Sequence, residues 1–164
     1  MKHWTLLLVL LFSGFTAIAQ NLNAGLSAGW PIGDKRQLHS FNLTAEINYL
    51  WEISEIFEVG ISTGYSFYPN SDKHEYSEGH ISYLPISAAT RFNVSQKFIL
   101  GLDLGGTVLI SGESIFEGVY AAPKLQYRIT ESYSVVVALR SLIYDVIFGG
   151  SRDLLSIGLE FKIL

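Results

Sequence analysis

The sequence contains no cysteine and few charged residues. Without cysteine the chain can form no disulfide, no zinc site built from thiolates and no lipid anchor attached to a cysteine. Charged residues make up 16% of the chain, whereas a soluble domain carries about 25%. The net charge of −4 provides no basic patch for nucleic acid, so we expect no nucleic-acid partner.

Residues 1–19 differ in character from the rest of the chain. A short basic head precedes an almost unbroken apolar run over residues 4–15, and the small-x-small motif Ala17-Ile18-Ala19 follows it. This layout is typical of a secretory signal peptide, and the run is shorter than the roughly 20 apolar residues that a membrane-spanning helix needs. We therefore predict a cleaved signal peptide over residues 1–19 and one exported domain over residues 20–164.

Residues 20–164 show no lasting helical period. Apolar and polar residues alternate instead, which is typical of β-strands with one apolar face. In the stretch "SIGLEFKIL", for example, Ile157 and Leu159 alternate with Gly158 and Glu160. The alternation predicts eight strands, at about Leu22–Trp30, Phe41–Trp51, Phe57–Phe67, Ile81–Asn93, Phe98–Ile110, Val119–Ile129, Tyr133–Tyr144 and Ser156–Leu164.

The connections between these strands alternate in length. Residues 52–56, 94–97 and 130–132 form short turns, whereas the other connections are mostly longer, the longest being 69–79. An even number of strands with short turns at one end and long loops at the other predicts an all-β, eight-stranded, antiparallel up-and-down barrel. Pro85 and Pro123 fall inside predicted strands, where each removes a backbone donor, so we expect a β-bulge at each.

Alternation alone does not say which face of the barrel is outside. A soluble barrel of the lipocalin kind would be apolar inside, with a solvated exterior. Here the polar faces carry mostly Gly, Ser, Thr, Ala and Asn rather than the Lys and Glu of a solvated surface. Aromatic residues flank both sets of connections, with Tyr68, Tyr83 and Tyr120 among those near the long loops. We expect them to form two outer girdles, as is typical of the two interfaces of a bilayer. The sequence therefore predicts a transmembrane barrel with its apolar face toward lipid.

Six charged residues fall on the polar faces of the predicted strands. Because both signs are present and an eight-stranded barrel is narrow, we expect these side chains to form a structural ion network that fills the lumen. Asp103 and Lys124 are expected to pair across neighbouring strands, as are Arg140 and Glu160. The predicted network consists of Glu46, Arg91, Asp103, Lys124, Arg140 and Glu160.

This pattern resembles the small eight-stranded outer-membrane barrels of the OmpA/OmpX type, and in particular the compact outer-membrane barrel family common in Bacteroidota. Signal peptides of that family often end at an Ala-Gln junction, as Ala19-Gln20 does here. The resemblance implies a location in the outer membrane of a Gram-negative bacterium, with lipid and lipopolysaccharide as partners. It also implies that the C-terminal strand, Ser156–Leu164, is recognised by the barrel-insertion machinery, although this strand lacks the usual terminal aromatic residue.

No sequence motif indicates a cofactor or a metal site. We expect a structural or surface-interaction role: packing in the outer membrane, surface contact through residues 69–79, or assembly with a surface or periplasmic protein partner. One alternative is a lipid-modifying enzyme resembling the lipid A deacylases, because His80 and Ser82 have the spacing of a His-x-Ser pair. A narrow pore for small solutes is a third interpretation.

Overall fold

A computed structural model describes residues 20–32, 41–69, 80–110, 118–145 and 150–164. The predicted signal peptide and nearly all of the segment 69–79 lie outside the described residues. The described part contains eight strands: β1 (Gln20–Ile32), β2 (Asn42–Ser54), β3 (Phe57–Tyr68), β4 (Ile81–Asn93), β5 (Phe98–Leu109), β6 (Gly118–Arg128), β7 (Tyr133–Asp145) and β8 (Gly150–Lys162). No helix in these ranges is long and apolar enough to cross a bilayer.

The strands form a closed barrel in which each is antiparallel to its neighbours in sequence order. This confirms the predicted fold class, although β8 begins at Gly150 rather than at Ser156. Pairing of β1 with β8 closes the barrel, with Gly25 opposite Glu160. Beyond the last strand residue, the amide of Ile163 donates a hydrogen bond to the carbonyl oxygen of Leu22 at 2.7 Å. The end of the chain is therefore part of the closed sheet.

The two faces of the sheet differ in polarity as the alternation predicts. Ile47 is 53% exposed on the outside, whereas its neighbour Glu46 is 8% exposed and points into the lumen. The exterior carries a belt of exposed aliphatic side chains that includes Leu26, Leu100 and Leu104. Because apolar side chains cover the outside and polar ones the inside, the prediction of an apolar exterior is confirmed.

Aromatic side chains lie outside near the short turns, at what we call the short-turn rim. Phe98 contacts Tyr127 edge to face, with ring centroids 5.2 Å apart, and Tyr133 contacts Phe161 in the same way at 5.3 Å. At the opposite end, the long-loop rim, Trp30 is exposed on the exterior. Such rings suit the two interfacial zones of a bilayer.

Three tyrosines that we expected in the outer girdle near the long loops point inward instead, which is a correction. Tyr68, Tyr83 and Tyr120 are all buried. Tyr68 and Tyr83 pack edge to face and form, with Leu142 and Leu154, an apolar cluster across the lumen near the long-loop rim. We call this group the aromatic plug.

The expected bulges at Pro85 and Pro123 are absent from the described strands, so that prediction was wrong. Pro85 stays opposite Thr107, and Pro123 stays opposite Leu102, with no change of register on either side. The carbonyl oxygen of Pro85 accepts a hydrogen bond from the Thr63 hydroxyl at 2.9 Å. This contact offsets part of the loss of the backbone hydrogen bond that proline, which has no N–H, cannot donate. Register shifts occur instead between residues 52 and 54 and between residues 143 and 145.

Close approach of neighbouring strands inside the barrel makes one glycine hard to replace. A Cβ atom at Gly105 would lie 2.0 Å from the carbonyl oxygen of Ile86, which is backbone and cannot rotate away. We expect Gly105→Ala to lower the free energy of unfolding by about 1–3 kcal/mol, as overpacking of a core does. Urea unfolding of the folded barrel in detergent, followed by tryptophan fluorescence, measures this change.

Gly25→Ala is the matched control, because the nearest atom to its added Cβ would lie 3.4 Å away. We expect this variant to remain within about 0.5 kcal/mol of the wild type. Equal effects of the two substitutions would contradict the strand contact at Gly105.

Candidate functional site in the barrel lumen

A continuous chain of buried ion pairs crosses the middle of the lumen. Arg91 lies 2.6 Å from Asp103, and Asp103 lies 2.6 Å from Lys124. Lys124 then lies 3.1 Å from Glu46, and Glu46 lies 2.7 Å from Arg140. These five residues come from β4, β5, β6, β2 and β7, and each is less than 9% exposed. The ion-pair chain thus links five of the eight strands through their side chains.

Neutral side chains complete the hydrogen bonding at the Arg140 end of this chain. The Arg140 guanidinium donates to the hydroxyl oxygens of Ser156 at 3.0 Å, Ser27 at 3.1 Å and Tyr120 at 3.2 Å. A buried charge is tolerated only where its remaining donors and acceptors are also satisfied. The small serines leave room for the guanidinium while supplying those acceptors.

Glycine makes room for Arg91 at the other end of the chain. A Cβ atom at Gly101 would lie 3.0 Å from Cδ of Arg91 and 3.2 Å from its Nε atom. Gly101 is opposite Arg91 in the β4–β5 pairing, so the arginine side chain lies over its bare backbone. Gly101 therefore makes room for a charged side chain, whereas Gly105 allows two strands to approach closely.

Five of the six charged residues predicted to form a lumen network lie in this chain, and Glu160 does not. The expected pair of Arg140 with Glu160 was wrong, because Glu160 is opposite Ser134 on β7, whereas Arg140 is opposite Leu154. Glu160 instead accepts hydrogen bonds from the side-chain amides of Asn48 at 2.8 Å and Gln126 at 3.4 Å.

The lumen is not filled along its whole length, contrary to our expectation. A cavity of about 350 Å³ lies between the ion-pair chain and the short-turn rim. We call it the vestibule. Its buried lining residues are Asn23, Leu50, Arg91, Ile99 and Gln126. Glu52 and Glu131 are exposed at the rim. The complete lining is Asn21, Asn23, Leu50, Glu52, Glu58, Arg91, Asn93, Ile99, Gln126, Arg128, Glu131, Ser132, Ser134, Glu160 and Lys162.

In the described part of the barrel, the charged residues that line the vestibule are not paired with one another, unlike those of the ion-pair chain. Its lining includes four glutamates and three basic residues. Within the described residues, no ion pair joins any two of these seven, since every salt bridge there belongs to the ion-pair chain. Among the described residues, Glu58 accepts a single side-chain hydrogen bond, from the amide of Asn21 at 3.3 Å. Charges of both signs therefore face the cavity without neutralising one another directly.

His80 and Ser82, the candidate catalytic pair, lie near the long-loop rim. The exposed His80 ring lies beside the Phe67 ring, with centroids 5.7 Å apart. Ser82 is buried, and its hydroxyl is within 2.8 Å of the Tyr65 hydroxyl. Glu78, the acid nearest in sequence, lies outside the described residues. Nor does the described part of the chain contain a group of three or more His, Asp or Glu side chains that could hold a metal ion.

The ion-pair chain generates a stability prediction at Glu46, which contacts two cations at once. Glu46→Gln leaves Lys124 without one of its two carboxylate partners and Arg140 without its only one in the described lumen. We expect the free energy of unfolding to fall by about 3–5 kcal/mol, as when one partner of a buried pair is removed. Urea unfolding in detergent measures it.

The exposed Glu55 provides the control, and Glu55→Gln should change stability by less than about 0.5 kcal/mol. If the contact between Glu46 and Lys124 stabilises the fold directly, the double variant Glu46→Gln with Lys124→Met should lose less free energy of unfolding than the sum of the two single variants. Simple additivity would contradict the direct coupling.

Comparison with solved structures finds other proteins with this barrel fold. No protein-family model matches the chain, and no curated protein sequence matches it. The outer membrane protein Ail of Yersinia pestis in a phospholipid nanodisc is similar at a TM-score of 0.60 with 13% identity, over 88% of this chain and 100% of that one.

Two further structures show the same likeness. Neisserial surface protein A gives a TM-score of 0.50 with 15% identity, over 88% of this chain and 97% of its own. A de novo designed transmembrane β-barrel gives 0.56 with 12% identity, over 87% and 95%. At such low identity the likeness concerns the fold: the chain is an eight-stranded closed barrel of the kind that outer-membrane proteins adopt.

Proposed function

We propose that this protein is an integral outer-membrane barrel of a Gram-negative bacterium, with a structural or surface-interaction role and without catalysis. The observation that carries the proposal is the inverted distribution of polarity. Leu26 and Ile61 are 65% and 58% exposed on the outside, whereas Arg91 and Asp103 are 2% and 0% exposed inside. Such an exterior is favourable against lipid tails and unfavourable against water. Lipid and lipopolysaccharide are the partners that fit it.

The proposal includes an orientation. β1 begins and β8 ends at the short-turn rim, which we assign to the periplasm, and the longer connections then face the exterior of the cell. This is the usual arrangement of outer-membrane barrels. Residues 69–79 are the candidate contact segment for a surface partner. The C-terminal stretch Ser156–Leu164 is the candidate signal for the barrel-insertion machinery.

The similar proteins support a surface role. Ail is described as an attachment invasion locus protein, and the Neisserial protein as a surface protein. We extend a surface role to this chain on the likeness of fold, while its partner stays unidentified.

Membrane integration is tested by extraction and electrophoresis. We expect the protein in a Gram-negative host to stay in the envelope after a high-salt wash and to require detergent for release, because the apolar belt is covered by lipid. Unboiled samples should migrate differently from boiled ones, since a closed barrel resists unfolding by detergent alone. Recovery in the soluble periplasmic fraction would contradict the proposal.

The side chains that cross the middle of the lumen predict the absence of steady conductance. The ion-pair chain and the aromatic plug span the lumen beyond the vestibule, and an eight-stranded barrel is only just wide enough for its side chains. Folded protein reconstituted in planar bilayers should therefore show no stable single-channel current. A well-known porin serves as the positive control, and steady current from this protein would favour the pore interpretation instead.

The alternative, a lipid-modifying enzyme, predicts a change in lipid A that depends on Ser82. If the protein has no lipid-modifying activity, expression of the wild type and of Ser82→Ala should give the same lipid A mass spectrum as the empty vector. Both proteins must first show the heat-dependent shift that indicates a folded barrel. Loss of an acyl chain with the wild type alone would establish the enzymatic alternative.

A further inference from the structure

Arg91 lines the inner end of the vestibule, and two of its donor atoms have no partner among the described residues. Its Nη1 atom donates to Asp103 at 2.6 Å and to the carbonyl oxygen of Thr90 at 2.8 Å. Its Nε and Nη2 atoms are buried and have no hydrogen-bond partner within the described residues. In a guanidinium group, these two N–H bonds run parallel along one edge and form a fork that matches the two oxygens of a carboxylate.

The Arg91 side chain is 2% exposed and lines the vestibule. Buried donors that stay unsatisfied are costly, by about 1–3 kcal/mol each. The arginine therefore fulfils two conditions of a binding group. Asp103 and the backbone of Gly101 hold it in place, and it keeps two donors without a partner among the described residues. Asp103 contacts Nη1 alone, which leaves the edge formed by Nε and Nη2 for a second acid.

Two carboxylates surround the same inner end of the cavity. Glu58 is directly opposite Arg91 in the β3–β4 pairing, yet no salt bridge joins the two side chains. Glu160 also lines the vestibule and is held by neutral amides alone. A ligand with only a negative charge would be repelled by these glutamates, and a ligand with only a positive charge would leave the Arg91 fork empty.

We propose that the vestibule binds a small zwitterion that carries one carboxylate and one ammonium group, in the size range of a free amino acid or a dipeptide. The carboxylate occupies the Nε and Nη2 edge of Arg91, and the ammonium group lies among the carboxylates of Glu58 and Glu160. The cavity volume of about 350 Å³ suits a ligand of this size. This goes beyond the proposed surface role, since it concerns the opposite end of the barrel.

Three related dipeptide probes separate the two charges. L-alanyl-L-alanine carries both, its N-acetyl derivative keeps the carboxylate alone, and its C-terminal amide keeps the ammonium alone. Isothermal titration of the folded wild-type barrel in detergent should show binding of alanyl-alanine at least about tenfold tighter than of either derivative. In NMR spectra of the wild type, alanyl-alanine should also shift the Arg91 Nε–H signal.

Arg91→Lys tests the fork while keeping the positive charge beside Asp103. The loss of a bidentate, charge-assisted contact should weaken alanyl-alanine binding about ten- to a hundredfold. Glu58→Gln should weaken alanyl-alanine and leave the N-acetyl derivative unaffected or bound more tightly. Glu55→Gln, in the β2–β3 turn and outside the cavity lining, is the matched control and should bind as the wild type does.

Each result decides the matter. The proposal is overturned if wild-type protein binds none of the probes, if the N-acetyl derivative binds as tightly as alanyl-alanine, or if folded Arg91→Lys retains full affinity. The heat-dependent electrophoretic shift identifies which variants are folded. If Arg91→Lys does not fold, the Glu58→Gln titration and the wild-type Arg91 Nε–H signal provide the decision.

Discussion

Closure of the sheet is the constraint on which the rest of this structure depends. In lipid, an unpaired backbone amide or carbonyl costs several kcal/mol, so a strand with a free edge is not tolerated. The pairing of β1 with β8, extended by the hydrogen bonds between Leu22 and the last two residues of the chain, removes that edge. With only eight strands to close the ring, the lumen is narrow, and its narrowness dictates which side chains fit inside.

The narrow lumen explains both the small residues and the charges of the polar faces. Gly101 gives room to the Arg91 side chain, and Gly105 lets the neighbouring strand approach closely. Long charged side chains reach across the barrel and fill its middle. Once enclosed, such charges are stable only in contact with one another and with neutral donors and acceptors. Glu46 between Lys124 and Arg140 shows the result, since each carboxylate oxygen contacts a different cation.

Much of the fold and of the ion-pair chain could be predicted from the sequence, because successive side chains of a strand point to opposite faces of the sheet. The alternation places Glu46, Arg91 and Lys124 inside, and adjacency of strands brings Asp103 to Lys124. The same alternation places Tyr68, Tyr83 and Tyr120 inside the barrel. We instead predicted them in the outer girdle because they are aromatic and lie near the long loops. Contacts across the lumen, such as Glu46 with Arg140, depend on the tilt and stagger of strands that are not neighbours. The vestibule depends on the summed volume of fifteen side chains, which no local pattern expresses.

The order of the lumen layers gives the molecule a sidedness. The aromatic plug and the ion-pair chain separate the vestibule from the long-loop rim. The vestibule therefore opens only at the short-turn rim in the described part of the barrel. On the proposed absence of conductance, a solute that enters the vestibule leaves through the same opening, so its binding depends on the concentration in one compartment only.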